Sequence, residues 1–539
     1  MKYFFYWIFL GLLLACTEQE PIVGDIVLHN GIILDGTGEE GYPGQVVIKG
    51  DKIVYVGKKC LVEADTFIDV EGKVITPGFI NMLSWAYNSL MEDGRSLSDL
   101  KQGVTLEVFG EGTSAGPRGI PGEEGYVSFG EAMKNLEENG VSTNFASYLG
   151  AATVRIQTVG YENRKATKDE MERMRGIVQK AMEEGAMGIG SSLIYAPGDY
   201  ADTEELIELC RVAQQFEGKY ISHMRNEDKY LMEALDEFLT IAREASIPSE
   251  IYHLKASREP NWHLLDSVIQ KVEEARAEGL KITADIYTYN ASSTGLTGVI
   301  PTWVQEGGHR AWINRMKVPA VRERLLADIR LELAEQDPAG ILMVGFNRDS
   351  MKQLYQGMTI AEAALKRGQT PEETIVDLII EDDSRIQCIY FSMSEENISK
   401  KVKIPWVSFC SDAGSYSDLS KDFRTHPRAF GSFIRVLGKY TRDEKWLTLP
   451  EAVHKLSGLP AQNLGLKDRG LLQKGYYADL VVFDPEEVSD QATFEDPLQF
   501  AIGVYDVFVN GTQVLKNGEH TGVFSGRYIR NYEPESSQK

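Results

Sequence analysis

The chain has 539 residues, 43% hydrophobic and 25% charged, with a formal net charge of −24. That length holds one large α/β domain plus a smaller one, and the composition is that of a globular protein. The acidic balance argues against nucleic acid as a partner, because phosphate binding needs clustered Lys and Arg. It leaves small anionic substrates open, since a local basic patch can sit in an acidic chain.

At the N-terminus, Lys2 precedes an apolar run from Tyr3 to Ala15, too short to span a bilayer comfortably and fitting the core of a signal peptide over residues 1–15. It ends in Leu13-Leu14-Ala15-Cys16, which resembles a bacterial lipobox. The resemblance implies cleavage before Cys16, lipidation of its thiol and a tether over residues 16–24. The expected location is a lipid-anchored protein of the periplasm or cell surface. Cys60, Cys210, Cys388 and Cys410 are scattered without a CxxC pair, so neither a disulfide framework nor a zinc knuckle is indicated.

From residue 25 to 76 short β-branched runs alternate with Gly and Asp turns, such as Gln45 to Lys49 and Lys52 to Val56, and predict hairpins. The texture returns after residue 464, in Leu480 to Phe483 and in Val504 to Val509 followed by Asn510-Gly511. A single small β-sandwich built from both chain ends follows, with residues 77–463 inserted as one domain. That middle alternates strands and helices, which favours a (β/α)8 barrel. Residues 300–373 are longer and more helical than one βα unit needs and read as an insertion, a candidate lid.

Two segments of the middle carry chemistry. Tyr220-Ile221-Ser222-His223 and Ser249-Glu250-Ile251-Tyr252-His253 are β-prone runs that each end in a histidine. Between them Leu231, Ala234, Leu235, Phe238, Leu239 and Ile241 recur at helical spacing. This is a βαβ unit with a histidine at the carboxyl end of each strand, the edge where barrel enzymes collect their catalytic groups.

Six segments then converge on one family. They are His223 to Glu227, His253 to Ala256, Leu193 to Ala201, Tyr289 to Leu296, His426 to Gly431 and Lys474 to Val481. Together they resemble the N-acyl-D-amino-acid deacylases (D-aminoacylases) of the amidohydrolase superfamily. The resemblance covers nearly everything after Gly24. It implies a zinc-dependent barrel with a flanking β-sandwich, hydrolysing the amide of a small N-acylated D-amino acid. It also implies His223 and His253 as metal ligands, Asp412 as general base and acid, and Lys255, Tyr287 and Ser292 as substrate contacts. Either Arg424 or Arg428 would receive the substrate carboxylate in a bidentate fork.

The chain departs from the family at two places. An Asp-x-His-x-His segment normally follows Thr-Pro-Gly-Phe; here Thr76-Pro77-Gly78-Phe79 leads to Leu83 and Trp85 where the two histidines would stand. Neither side chain ligates zinc. A ligating cysteine in Gly-Asn-Cys-Gly is also replaced, by Gly110-Glu111-Gly112-Thr113, with Gly112 at the cysteine's position. Glu111 is adjacent and Glu107 shares its strand parity, so either carboxylate can complete a two-histidine set around one zinc ion. The reading is thus a mononuclear metal-dependent hydrolase of N-acyl-D-amino acids or related N-acylated compounds. Another amidase or dipeptidase of the superfamily, and a non-catalytic binding protein that has lost its metal, are the alternatives.

Overall fold

In the computed structural model, which describes residues 20–420 and 423–531, eight parallel strands close into a barrel. They are Phe79–Asn81, Val104–Phe109, Asn144–Ser147, Gly188–Ser192, Lys219–His223, Ser249–Ile251, Ile282–Ile286 and Val407–Phe409, the third continuing past Tyr148 as Leu149–Gly150. Each pairs in parallel with the next. The ring closes where the chain leaving the first strand meets the chain leaving the eighth. There the Asp412 N–H donates to the Leu83 carbonyl and the Trp85 N–H to the Ala413 carbonyl, both at 2.9 Å.

Local sequence explains the elements. Every residue of Val104–Phe109 is buried, as a strand covered on both faces requires. The helix Lys168–Glu183 starts on a reciprocal cap between Thr167 and Glu170. Helix Leu231–Glu244, joining the fifth and sixth strands, buries the apolar stripe read from the sequence. One detail of that βαβ unit differs from expectation. His223 ends its strand, but the sixth strand stops at Ile251 and His253 lies two residues beyond. The chain turns there: His253 has φ 33° and its N–H donates to Asp285 Oδ1 at 2.8 Å.

The chain ends meet in one nine-stranded sheet. Val74–Pro77 pairs antiparallel with Leu480–Phe483, Thr76 opposite Val481, which joins the N-terminal strands to the C-terminal ones. Asp479 ties sheet to barrel: its carboxylate accepts from the Asn510 N–H at 2.8 Å and from Asn144 of the third barrel strand, and it pairs with Arg469. At the N-terminal side Ile22–Val23 already pairs with Val62–Glu63, so ordered pairing begins inside the segment read as a tether. Cys16 and the signal segment lie outside the described residues. Among the described residues no helix is long and apolar enough to cross a membrane.

The insertion between the seventh and eighth strands is wider than residues 300–373. Its framework is a three-stranded antiparallel sheet of Ser292–Gly295, Gln387–Tyr390 and Ile341–Gly345. Around it pack helices such as Pro319–Glu332 and Pro371–Asp382, with a core of their own that includes Trp312, Ile329 and Ile375. Two strands of this sheet flank the segment first read as the insertion and face the barrel mouth.

A buried carboxyl in the sixth strand makes stability depend on pH. Glu250 is buried, accepts from the Thr283 hydroxyl at 2.8 Å and neighbours Asp285. Burial first, and the charge of Asp285 second, push its carboxyl up to about 8 from an ordinary 4.5. Between those values the native chain holds a proton that the unfolded chain releases. Stability therefore falls as pH rises from about 4.5 to about 8, by at most about 1.4 kcal/mol per pH unit from this group. Glu250→Gln mimics the protonated form and is expected to flatten that fall. Denaturant midpoints that drop as steeply in the variant as in the native chain between about pH 5 and about pH 8 would contradict this.

Candidate metal centre and active site

Strand ends bring three potential ligands to one point at the barrel mouth. His223 comes from the fifth strand, His253 from the turn after the sixth, and Glu111 from the loop after the second. Glu111 Oε1 faces His223 Nδ1 at 2.7 Å and His253 Nε2 at 3.4 Å. The two rings stand edge to face with centroids 4.4 Å apart. Ligand atoms of all three residues lie within 4.8 Å of one another, and all three are buried. Two imidazole nitrogens and a carboxylate oxygen suit zinc, with room left for water or substrate.

Glu107 is not part of this cluster. It points below the mouth, where the hydroxyls of Ser84 and Thr143 each donate to it at 2.8 Å. Burial, reinforced by nearby Asp99, raises its carboxyl well above the usual range. Strand parity alone left both carboxylates open; the turn at Gly110 (φ 109°) carries the chain over the barrel rim and delivers Glu111 instead. Gly112 explains why no thiolate stands at its position. Its φ is 65°, and a Cβ there would lie 2.6 Å from the Ser192 Cβ.

Charge around the cluster is balanced pair by pair. Burial raises the Glu111 carboxyl, but the hydrogen bonds and charge of the two histidines outweigh it and leave it below the carboxylate range. Behind the histidines sits Glu227, 3.3 Å from His223 Nε2 and 3.2 Å from His253 Nδ1. Glu227 thus sets a negative charge beside the ring nitrogens that face away from Glu111, although His223 Nε2 makes no hydrogen bond to it and His253 Nδ1 is met by Lys255 instead. The sequence reading missed it, although it is the last residue of the quoted His223 to Glu227 segment. Lys255 Nζ contacts both Glu227 Oε1 and His253 Nδ1 at 2.6 Å. The lysine expected to meet substrate is therefore engaged with this second carboxylate.

Asp412 faces the cluster from the end of the eighth strand, at φ 49°. Its Oδ2 pairs with Arg428 Nη1 at 2.6 Å and its Oδ1 accepts from Trp85 Nε1 at 3.1 Å. Arg428 also donates to the Ser293 carbonyl at 3.2 Å and lies over the Tyr287 ring. Of the two arginines considered for the substrate carboxylate, Arg428 is thus committed to Asp412, while Arg424 is exposed at the rim. The Tyr287 hydroxyl is buried with no hydrogen-bond partner. These groups, with Ser292, line a cavity of about 600 Å³ to which the insertion adds Thr294, Arg385, Gln387 and Tyr390.

Comparisons with known proteins agree with this fold. Residues 415–515 match the Amidohydrolase family. D-aminoacylase of Alcaligenes xylosoxydans xylosoxydans is 32% identical over 526 residues, covering 95% of this chain and 98% of the relative. The chain belongs to the D-aminoacylase family. Among solved structures, a D-aminoacylase whose binuclear metal centre is described by one-metal activation and second-metal attenuation superposes with a TM-score of 0.80 at 32% identity, covering 94% of this chain and all of that one. The N-acyl-D-glutamate deacylase of Bordetella bronchiseptica, complexed with zinc and a phosphonate mimic of the tetrahedral intermediate, gives 0.77 at 28% identity, covering 95% and 100%.

Within this D-aminoacylase-family chain the two carboxylates separate cleanly by experiment. Glu111→Gln is expected to cut zinc content after dialysis to a small fraction of native, whereas Glu107→Gln keeps it. Equal retention of zinc by the two purified variants, measured by elemental mass spectrometry, would contradict the placement.

Proposed function

We propose that this chain is a zinc-dependent hydrolase that cleaves the amide bond of N-acyl-D-amino acids. The observation that carries the reading is the convergence of Glu111, His223 and His253 beside Asp412 at the carboxyl end of one barrel. Its named relatives act on substrates of this class, D-aminoacylase and N-acyl-D-glutamate deacylase among them. Glu111, His223 and His253 would hold a zinc ion, whose Lewis acidity would supply polarisation of the scissile carbonyl and a more acidic attacking water.

The chain's own residues divide the remaining work. Asp412, fixed by Arg428 on one oxygen and Trp85 on the other, accepts the water's proton and returns it to the leaving amine. Glu227 supplies negative charge behind both histidines. The unpartnered Tyr287 hydroxyl, Ser292 and the exposed Arg424 meet the substrate, with Lys255 adding positive charge to the same wall. A cavity of about 600 Å³ suits one small acylated amino acid. The non-catalytic alternative loses its support, because the histidines absent at Leu83 and Trp85 are not needed for the remaining set of three.

We also read the sheet from both chain ends as a small β domain flanking the barrel, and Cys16 as a lipidated anchor holding the protein at a bacterial membrane. The support for the anchor is the lipobox-like Leu13 to Cys16; fractionating cells that express the full chain or residues 17–539 tests it. For the reaction, Asp412→Asn is expected to lower kcat on N-acyl-D-amino acids about a hundred-fold or more while zinc content stays native. Undiminished turnover by that variant would exclude Asp412 as the proton carrier.

A further inference from the structure

Trp85 stands where the family places its second histidine, and its side chain is turned into the metal site. The indole Nε1 lies 3.1 Å from Glu111 Oε2 and 3.1 Å from Asp412 Oδ1. One N–H is shared between the carboxylate that would ligate zinc and the carboxylate that would carry the proton. The other oxygen of each acid is already assigned: Glu111 Oε1 faces the histidines, and Asp412 Oδ2 pairs with Arg428. The backbone holds Trp85 in place, because its N–H donates to Ala413 next to Asp412. Nearly half of the indole remains exposed, so the ring doubles as pocket wall.

A second divalent ion bridging Glu111 and Asp412 would have to take Glu111 Oε2 and Asp412 Oδ1 from the Trp85 N–H. Leu83 is fully buried and apolar, and an indole N–H donates but does not ligate. Among the described residues, the cluster able to hold a metal is Glu111, His223 and His253. We propose that Trp85 replaces a second metal ion: its N–H bridges Glu111 and Asp412, fixing the site as mononuclear and holding both acids in their working orientation. Trp85 is then a positioning residue whose metal-excluding role is independent of the substrate, while its effect on turnover rests on the deacylase reading.

Zinc counting tests the first half. Holoprotein dialysed against excess zinc is expected to keep about one zinc per chain, and so is Trp85→Phe, which keeps a ring in the space. Leu83→His with Trp85→His restores two donors beside Glu111 and Asp412 and is expected to keep about two. Two ions in the native chain, or one in a folded double variant, would overturn the proposal. Should the double variant fail to fold, the native count decides alone, a second ion there being fatal.

Kinetics test the second half on the same preparations. Trp85→Phe removes the bridging N–H while keeping a smaller aromatic ring in the wall, so kcat is expected to fall about ten-fold with KM within about two-fold of native. Excess zinc should leave native turnover unchanged and attenuate the double variant. An unchanged kcat in Trp85→Phe would overturn the positioning role. Absence of deacylase activity in the native chain would count against the substrate reading and leave the zinc counts standing.

Discussion

A carboxylate buried without a partner costs several kcal/mol, and Glu111 is buried at the mouth of the barrel. What makes it tolerable is a pair of imidazoles on one oxygen and an indole N–H on the other. That single group links four strand ends: the second through its own loop, the fifth and sixth through the histidines, and the first through Trp85. Asp412 closes the circle from the eighth strand, since it shares the indole with Glu111. The parallel barrel is the frame that lets residues so distant in sequence meet within a few ångströms, because all its strands end on one face.

Compensation continues outward from there. Glu227 backs both histidines, Lys255 offsets Glu227, and Arg428 offsets Asp412. Glu111, Glu227 and Asp412 thus each have a cation or an imidazole beside them, which is the condition under which buried charge persists. The insertion contributes a different property. Its small sheet brings Ser292, Thr294, Arg385 and Gln387 over the mouth, so the groups that would discriminate substrates sit on a unit with its own core.

Much of the fold was legible because its signals are local. The apolar stripe from Leu231 to Ile241 and the β-prone runs ending in His223 and preceding His253 identify the βαβ unit directly. The two-ended sheet announced itself in matching hairpin textures. Other features depend on contacts that no local pattern records. Glu107 and Glu111 share strand parity, and only the turn at Gly110 and Gly112 decides between them. Glu227 lies in a loop, where helical or strand spacing says nothing about direction. Trp85 stood for a lost ligand in the sequence, because tryptophan does not bind zinc; its role depends on where one N–H points. The insertion was drawn too narrowly because its flanking strands look like barrel strands until their antiparallel pairing is seen.

Nitrogen and oxygen donors, without sulfur, would hold the metal ion of the proposed site although four described cysteines are present. X-ray absorption at the zinc edge of the loaded protein reads this directly. The expected first shell contains only nitrogen and oxygen at about 2.0–2.2 Å, with the outer-shell signature of two imidazoles. A sulfur scatterer at about 2.3 Å would contradict the account and transfer the third ligand from Glu111 to a cysteine.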